Sequence, residues 1–295
     1  MGNSYVNTIE AACDAPAGIK LQRCLTIKRT HGLGNVVCLL TVLDELLEQG
    51  HQLTVITRPE WTHAFSVLRP GISWQTQETQ EADQGEKVTD LDELTANLVP
   101  CEHRADEFAR LLGIDSVLGP LRLQVPEVWR VPFEKLAGSV VFAPEGSHPS
   151  RTWPIEQASR LKDFLADEKL VLVGTSREGE IRCDYDSRGR LQLHELLGLL
   201  SVAGSVITMD SAVLHIAAGL GVPTVAIFGG VDPDYRVRPE QKVVVVQAQM
   251  ECCPCNKNEI CENRFDCIKA ARTSDIAAAL AIAKKTRERV YFRLA

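Results

Sequence analysis

Short apolar runs alternate with helix-period stretches along this chain, and a turn bearing glycine, aspartate or serine joins one to the next. Arg23–Lys28 (RCLTIK) leads into Thr30-His31-Gly32-Leu33-Gly34. A helix is expected over residues 35–49, where Val36, Leu39, Leu40, Leu43, Leu46 and Leu47 recur at helical spacing. Gly50 stops it, and Gln52–Thr57 (QLTVIT) is the next strand. Strand, helix, strand in that order implies a parallel sheet. The proline-bearing stretch 120–132 interrupts the series, and a second one follows. Its strands are Ser139–Ala143, Leu170–Gly174, Ser205–Thr208, Thr224–Gly229 and Lys242–Val246. Its helices are Pro154 to about Ala166, Leu193–Ala203, Ser211–Leu220 and the Ala-rich Ser274–Arg287. The expected fold class is α/β, with two doubly wound parallel-sheet domains facing across a cleft. Ligands bind such folds outside the carboxyl ends of the strands.

A length of 295 residues suits two domains. Asp and Glu total 39 against 32 Lys and Arg, a formal charge of −7. That balance argues against coating nucleic acid, which needs a cationic surface. It leaves room for a local basic pocket. Ala217–Val231 is interrupted by Pro223 and glycines, and Ile276–Ala283 is too short to span a bilayer. Residues 1–20 read as a loose leader. They carry Glu10 and Asp14 without a long apolar run, so no secretory signal is expected. Met1-Gly2 lacks the Ser or Thr that acylation wants at position six, where Val6 stands. The expected address is cytoplasmic, with at most peripheral membrane contact.

Three strand-to-helix turns carry candidate chemistry. Gly32-Leu33-Gly34-Asn35 lets a ligand approach backbone at a helix N-terminus, although Asn35 as a helix cap explains it equally. Glu145-Gly146-Ser147-His148-Pro149-Ser150-Arg151-Thr152-Trp153-Pro154 offers amides, a hydroxyl and a guanidinium that can grip phosphate bidentately; the plainer reading is a surface loop with a solvated arginine. Asp210 and Ser211 open a helix whose amides favour an anion, and His215 projects from the same face as Ser211; a cap plus a core histidine is the alternative. Taken together, the Arg151 turn and the His215 turn are expected to form a pyrophosphate cradle.

Three Asp-x-Asp pairs, Asp90/Asp92, Asp184/Asp186 and Asp232/Asp234, have the spacing of a divalent-ion site but are expected to be solvated acidic pairs. Cys13, Cys24, Cys38, Cys101 and Cys183 are scattered and expected as small buried hydrophobes. Cys252, Cys255, Cys261 and Cys267 could hold a structural Zn or Fe, with Cys253 spare. Free or redox-labile thiols compete with that reading, and a redox or metal sensor is a third functional class.

These motifs together resemble glycosyltransferase family 9, the lipopolysaccharide heptosyltransferases. The resemblance rests on Thr30–Asn35, on Arg151-Thr152-Trp153-Pro154, on Asp210, Ser211 and His215, and on Gly221-Val222-Pro223, Phe228-Gly229 and Asp232-Pro233. It is strong over residues 139–270, thinner over 23–57 and weak between 58 and 120. It implies a GT-B fold with two Rossmann-like domains: an acceptor-side domain over 1–125, a linker at 126–138, a donor-binding domain over 139–272, and a final helix in 273–295 that crosses back to the first domain. It also implies inverting transfer of a sugar, heptose from ADP-heptose in the family, with no catalytic metal or other cofactor required; the expected acceptor is a glycan, a lipopolysaccharide-type or other lipid-linked glycan, a protein or a small molecule. The donor would meet Gly146, Ser147, Arg151, Asp210, Ser211, His215 and Gly229. The acceptor would pass over Gly32 and Gly34.

One position departs from the family. Its usual catalytic Asp follows the last glycine of the first loop, and Asn35 stands there. An amide cannot take a proton as a carboxylate can. His31 is then the provisional base and Glu145 another candidate. The remaining alternatives are weak catalysis through donor activation alone, or a sugar-nucleotide-binding protein or partner subunit that has lost turnover.

Overall fold

A computed structural model describes residues 24–80, 87–115, 118–165, 167–256 and 261–294. The loose leader, Cys13, residues 81–86 of the acidic stretch 76–87 and residues 257–260 of the cysteine segment therefore lie outside the described residues.

The chain forms two parallel sheets. The first contains β1 (Cys24–Lys28), β2 (Gln52–Ile56), β3 (Ser73–Gln75) and β4 (Val88–Asp90) in the order β3-β2-β1-β4. The second contains β5 (Val140–Ala143), β6 (Leu170–Leu172), β7 (Tyr185–Asp186), β8 (Ser205–Met209), β9 (Thr224–Phe228), β10 (Val243–Ala248) and β11 (Val290–Leu294), in the order β11-β10-β9-β8-β5-β6-β7. Every pairing between these strands is parallel. The central strands β5, β8 and β9 are buried along their whole length, as expected where helices cover both faces of a parallel sheet.

The helix Leu33–Glu48 buries Val36, Leu39, Leu40, Leu43 and Leu46, the stripe read from its spacing. It packs against the helix Ala212–Gly219 of the second domain. One apolar cluster consequently runs through both domains, joining Val36 and Leu40 to Leu123, Trp129, Ile216 and Ala217. The proline-rich segment is not an extended tether. Glu127–Arg130 is a helical turn followed by a 3-10 turn at Val131–Leu136, and both pack on the helix Leu193–Val202.

The end of the chain differs from expectation. The helix Thr273–Ala283 does not cross to the first domain. It lies on β8, β9 and β10 with Ile276, Ala279, Leu280 and Ala283 buried. The chain then enters β11 as an edge strand beside β10, in register from Val244↔Val290 to Ala248↔Leu294. The apolar face of that helix finds its cover in its own domain, which leaves nothing to drive a crossing. The helix expected from Pro154 to Ala166 is instead two short turns, Ile155–Ala158 and Leu161–Phe164.

Candidate functional site

β5 and β8 are neighbours, so the turns that leave their carboxyl ends stand side by side. A methyl group on Gly146 would lie 2.8 Å from Cβ of Arg151 and 3.4 Å from the carbonyl oxygen of Asp210. Only a residue without a side chain lets the two turns close to this distance. Arg151 Nε is 3.4 Å from Asp210 Oδ2, and Arg236 Nε is 3.5 Å from Oδ1. Burial opposes the Asp210 carboxylate, but Arg236, Arg151, His215 and Arg104 together outweigh it and hold the group below its ordinary range. Ser211 occupies the N-cap position of the helix Ala212–Gly219 without capping it; its hydroxyl lies 3.1 Å from Thr208 Oγ1. The Ser211 side chain therefore leaves the first-turn amides of Ala212 and Val213 uncapped. Ser147 is exposed on the same rim.

Gly229 has a packing reason. A Cβ there would meet the Ser150 carbonyl oxygen at 2.6 Å, so glycine lets the Ser150 turn settle on the end of β9. Trp153 is core: its ring meets Phe142 edge-on and its Nε1 donates to the Ala271 carbonyl at 2.9 Å. Glu145 is committed elsewhere. Its Oε1 accepts from the Thr175 and Ser176 amides at 2.8 and 2.7 Å, which ties this turn to the end of β6 and withdraws Glu145 from the role of base.

On the first domain, Gly32 takes φ +75° and the helix begins at Leu33. Asn35 thus sits inside the first turn rather than at the cap, and its Nδ2 donates to the His31 carbonyl at 3.3 Å. His31 is exposed, with Nδ1 3.2 Å from Asp92 Oδ2. Gly34 closes on the second domain: a Cβ there would lie 3.0 Å from His215 Cδ2 and 3.4 Å from Cα of Ala212. The glycine loop of the first domain and the N-terminus of the Ala212–Gly219 helix thus meet where the two domains face each other.

His215 lies in the domain seam, with Nδ1 3.4 Å from Cys38 Sγ. Burial drives its imidazole down to about 4, the Asp210 carboxylate opposing and the Arg236 guanidinium adding to the fall. It is neutral at physiological pH, so it holds the seam and does not supply a phosphate-binding cation. Arg238 forks onto Asp106 at 2.8 and 2.6 Å, bolting the domains together. Arg104 pairs with the buried Glu107 at 2.8 Å and lies close enough to Arg236 for the two like charges to oppose each other. Sequence reasoning missed Asp92, Arg104, Glu107, Arg236 and Arg238. Arg104 and Glu107 did leave a signal, since they stand three apart at the start of a helix whose next residues, Phe108 and Ala109, are core.

The Asp-x-Asp pairs are spent on other partners. Asp90 bonds Lys28, Asp184 bonds Lys162, Asp186 bonds Arg188, and Asp234 meets Arg289 and Tyr291. The cysteines also differ from expectation. Cys38 is buried, but Cys24 and Cys101 are exposed. Among the described residues no three His, Cys, Asp or Glu gather as a metal would require. Cys252 and Cys255 are exposed, Cys261 accepts from the Phe265 amide, and Cys267 is buried. The thiol that meets Cys267 is Cys253, read as the spare, which also donates to the Gly229 carbonyl at 3.2 Å. The described residues do not form a tetrahedral four-thiolate set. No helix among them is long and apolar enough to cross a membrane.

Comparison with known proteins follows the same outline. The family model for glycosyltransferase family 9 (heptosyltransferase) matches residues 130–266. The lipopolysaccharide heptosyltransferase 2 of Escherichia coli K12 is 26% identical over 114 residues, covering 34% of this chain and 33% of the relative. The match thus spans about a third of that relative's length. A family 9 glycosyltransferase from Veillonella parvula superposes with a TM-score of 0.69 at 15% identity, over 91% of this chain and 99% of that one. The iron-containing dodecameric glycosyltransferase TibC of enterotoxigenic E. coli gives 0.71 at 15% identity, over 91% and 77%; it has also been solved with ADP-D-β-D-heptose. At that identity the likeness is one of fold, and the fold is of GT-B type. The segment 130–266 that the glycosyltransferase family 9 model matches takes in both the Gly146–Arg151 turn and the Asp210–Ser211 turn.

Proposed function

We propose that this chain is a glycosyltransferase that moves a sugar from a nucleotide-diphospho-sugar of the ADP-heptose class to a hydroxyl of a glycan or lipid-linked acceptor. The observation that carries the reading is the meeting of the Gly146–Arg151 turn with Asp210 and the N-terminus of the Ala212–Gly219 helix. TibC, a protein of this fold, has been solved with ADP-heptose, which supports that donor class.

Transfer places growing negative charge on the departing diphosphate. Arg151, Arg236 and the first-turn amides of the helix are fixed donors and cations at that place, and charge stabilised there lowers the barrier. Asp210 spaces the two guanidiniums and keeps them aimed. Its contact with Arg151, at 3.4 Å, sets that guanidinium beside the N-terminus of the Ala212–Gly219 helix. The acceptor would enter over Gly32 and Gly34. A cytoplasmic place in lipopolysaccharide assembly, with peripheral membrane contact at most and no nucleic-acid partner, fits this reading and the charge of −7.

The test is thermal unfolding with ADP-heptose, ADP-glucose, UDP-glucose and GDP-mannose, since a ligand held only by the folded state raises its stability. The reading expects ADP-sugars to raise the midpoint most. No shift with any of the four would overturn it.

A further inference from the structure

The loop that carries Asn35 also carries His31, and His31 is paired with a carboxylate from another strand end. Asp92 lies just beyond β4, in the turn Leu91–Leu94 capped by Asp90. Its Oδ2 accepts from the Thr30 amide at 2.8 Å and from the Thr30 hydroxyl at 2.6 Å, and its Oδ1 from the His31 amide at 3.1 Å. Arg29 NH1 stands 3.3 Å from Oδ1. Burial opposes the charged form of Asp92, but these bonds outweigh it and hold the group ionised below its ordinary range. His31 Nδ1 reaches the same Oδ2 at 3.2 Å.

Three facts fix the protons. An ionised carboxylate only accepts. The Thr30 hydroxyl donates its one hydrogen bond to Asp92, so toward His31 Nδ1, 3.4 Å away, it too can only accept. Nδ1 therefore carries the hydrogen, and Nε2 keeps its lone pair. The ring is 74% exposed, and among the described residues nothing bonds Nε2. The loop is itself held, since Arg58 Nε donates to the Thr30 carbonyl at 2.8 Å. It runs straight to Gly34, which touches Ala212 and His215 across the cleft.

We infer that His31 is the general base of the transfer reaction and that Asp92 is its positioning residue, a histidine–aspartate dyad doing the work that Asn35 cannot. The inference rests on the transfer reading above. His31 Nε2 takes the proton of the acceptor hydroxyl as its oxygen bonds to the anomeric carbon. The bond from that carbon to the phosphate oxygen breaks, and the electron pair leaves with the nucleoside diphosphate. The imidazolium, stabilised by Asp92, then releases its proton to water. An aspartate beside the base sets the tautomer and steadies the charged ring.

Two measurements test it. In the 15N-histidine-labelled full chain near pH 8, with His31 assigned from His31→Gln, long-range 1H–15N spectra should show His31 with its hydrogen on Nδ1. In Asp92→Asn it should revert to the Nε2–H form. A wild-type His31 protonated on Nε2 overturns the dyad. The second measurement is ADP release from ADP-heptose with water as acceptor, alongside calorimetry with ADP. His31→Gln should lose about 100-fold or more in release and Asp92→Asn about tenfold or more, with ADP affinity unchanged. His31→Gln releasing ADP at the wild-type rate overturns the dyad and leaves the transfer reading standing. A wild type that neither binds ADP nor cleaves ADP-heptose overturns both.

Discussion

Gly34 and His215 belong to different domains, yet a methyl group on Gly34 would stand 3.0 Å from the His215 ring. The glycine loop of the first domain is pressed onto the helix N-terminus of the second. Gly34→Val must therefore push the domains apart or bend the helix entry. Overpacking of this kind costs about 1–3 kcal/mol. Urea unfolding should show a loss of that size, and small-angle scattering a larger radius of gyration. An unchanged midpoint would mean the contact is slack.

His215 makes the seam sensitive to acid. Its folded imidazole titrates at about 4, against 6.5 for the ordinary side chain. Between those values the unfolded chain binds the proton and the folded chain does not. Stability therefore falls as pH drops through this window, by about 1.4 kcal/mol per pH unit and about 3 kcal/mol in all, and is regained above 6.5. His103 adds to the effect in the same direction: burial, with Arg238, His215 and Arg236 nearby, holds its imidazole at about 2. Denaturant midpoints from pH 7 to 4 should trace this slope, and His215→Gln should flatten it.

Trp153 belongs to a motif that reads as ligand-binding but is spent on the core. Trp153→Phe removes the Nε1 bond to Ala271 and leaves a buried carbonyl unpaired, a loss of about 1–3 kcal/mol. ADP affinity should not change, because the ring points into the apolar cluster with Phe142 and Leu161. A variant of full stability that lost ADP would reverse this assignment.

Much of this was legible from spacing. The Val36-to-Leu46 stripe, the buried runs of β5, β8 and β9, and the placement of Gly146, Arg151, Asp210 and Ser211 at strand-to-helix turns all follow from local pattern. The turns at Gly146–Arg151 and Asp210–Ser211 had to meet once β5 and β8 paired. What stayed hidden depends on contacts between distant segments. Asp92 looks like one of three chance acidic pairs until β4 lies beside β1 and brings it to His31. Arg104 and Arg236 are separated by more than a hundred residues and come together only in the seam. β7 has two residues, and β11 follows a helix that the family resemblance sends to the other domain. The cysteine segment misled because a regular spacing suggested four equal ligands, whereas burial selects Cys267 and sets it against Cys253.

On the proposed function, a diphosphate is held where the Gly146–Arg151 turn meets Asp210 and Ser211. Calorimetry with ADP on wild type and Arg151→Ala reads that grip. Wild type should bind, and the variant should bind at least about tenfold more weakly, the loss of one charge-assisted contact of about 1.5–3 kcal/mol. Equal affinity in the two proteins would mean that Arg151 does not hold the diphosphate.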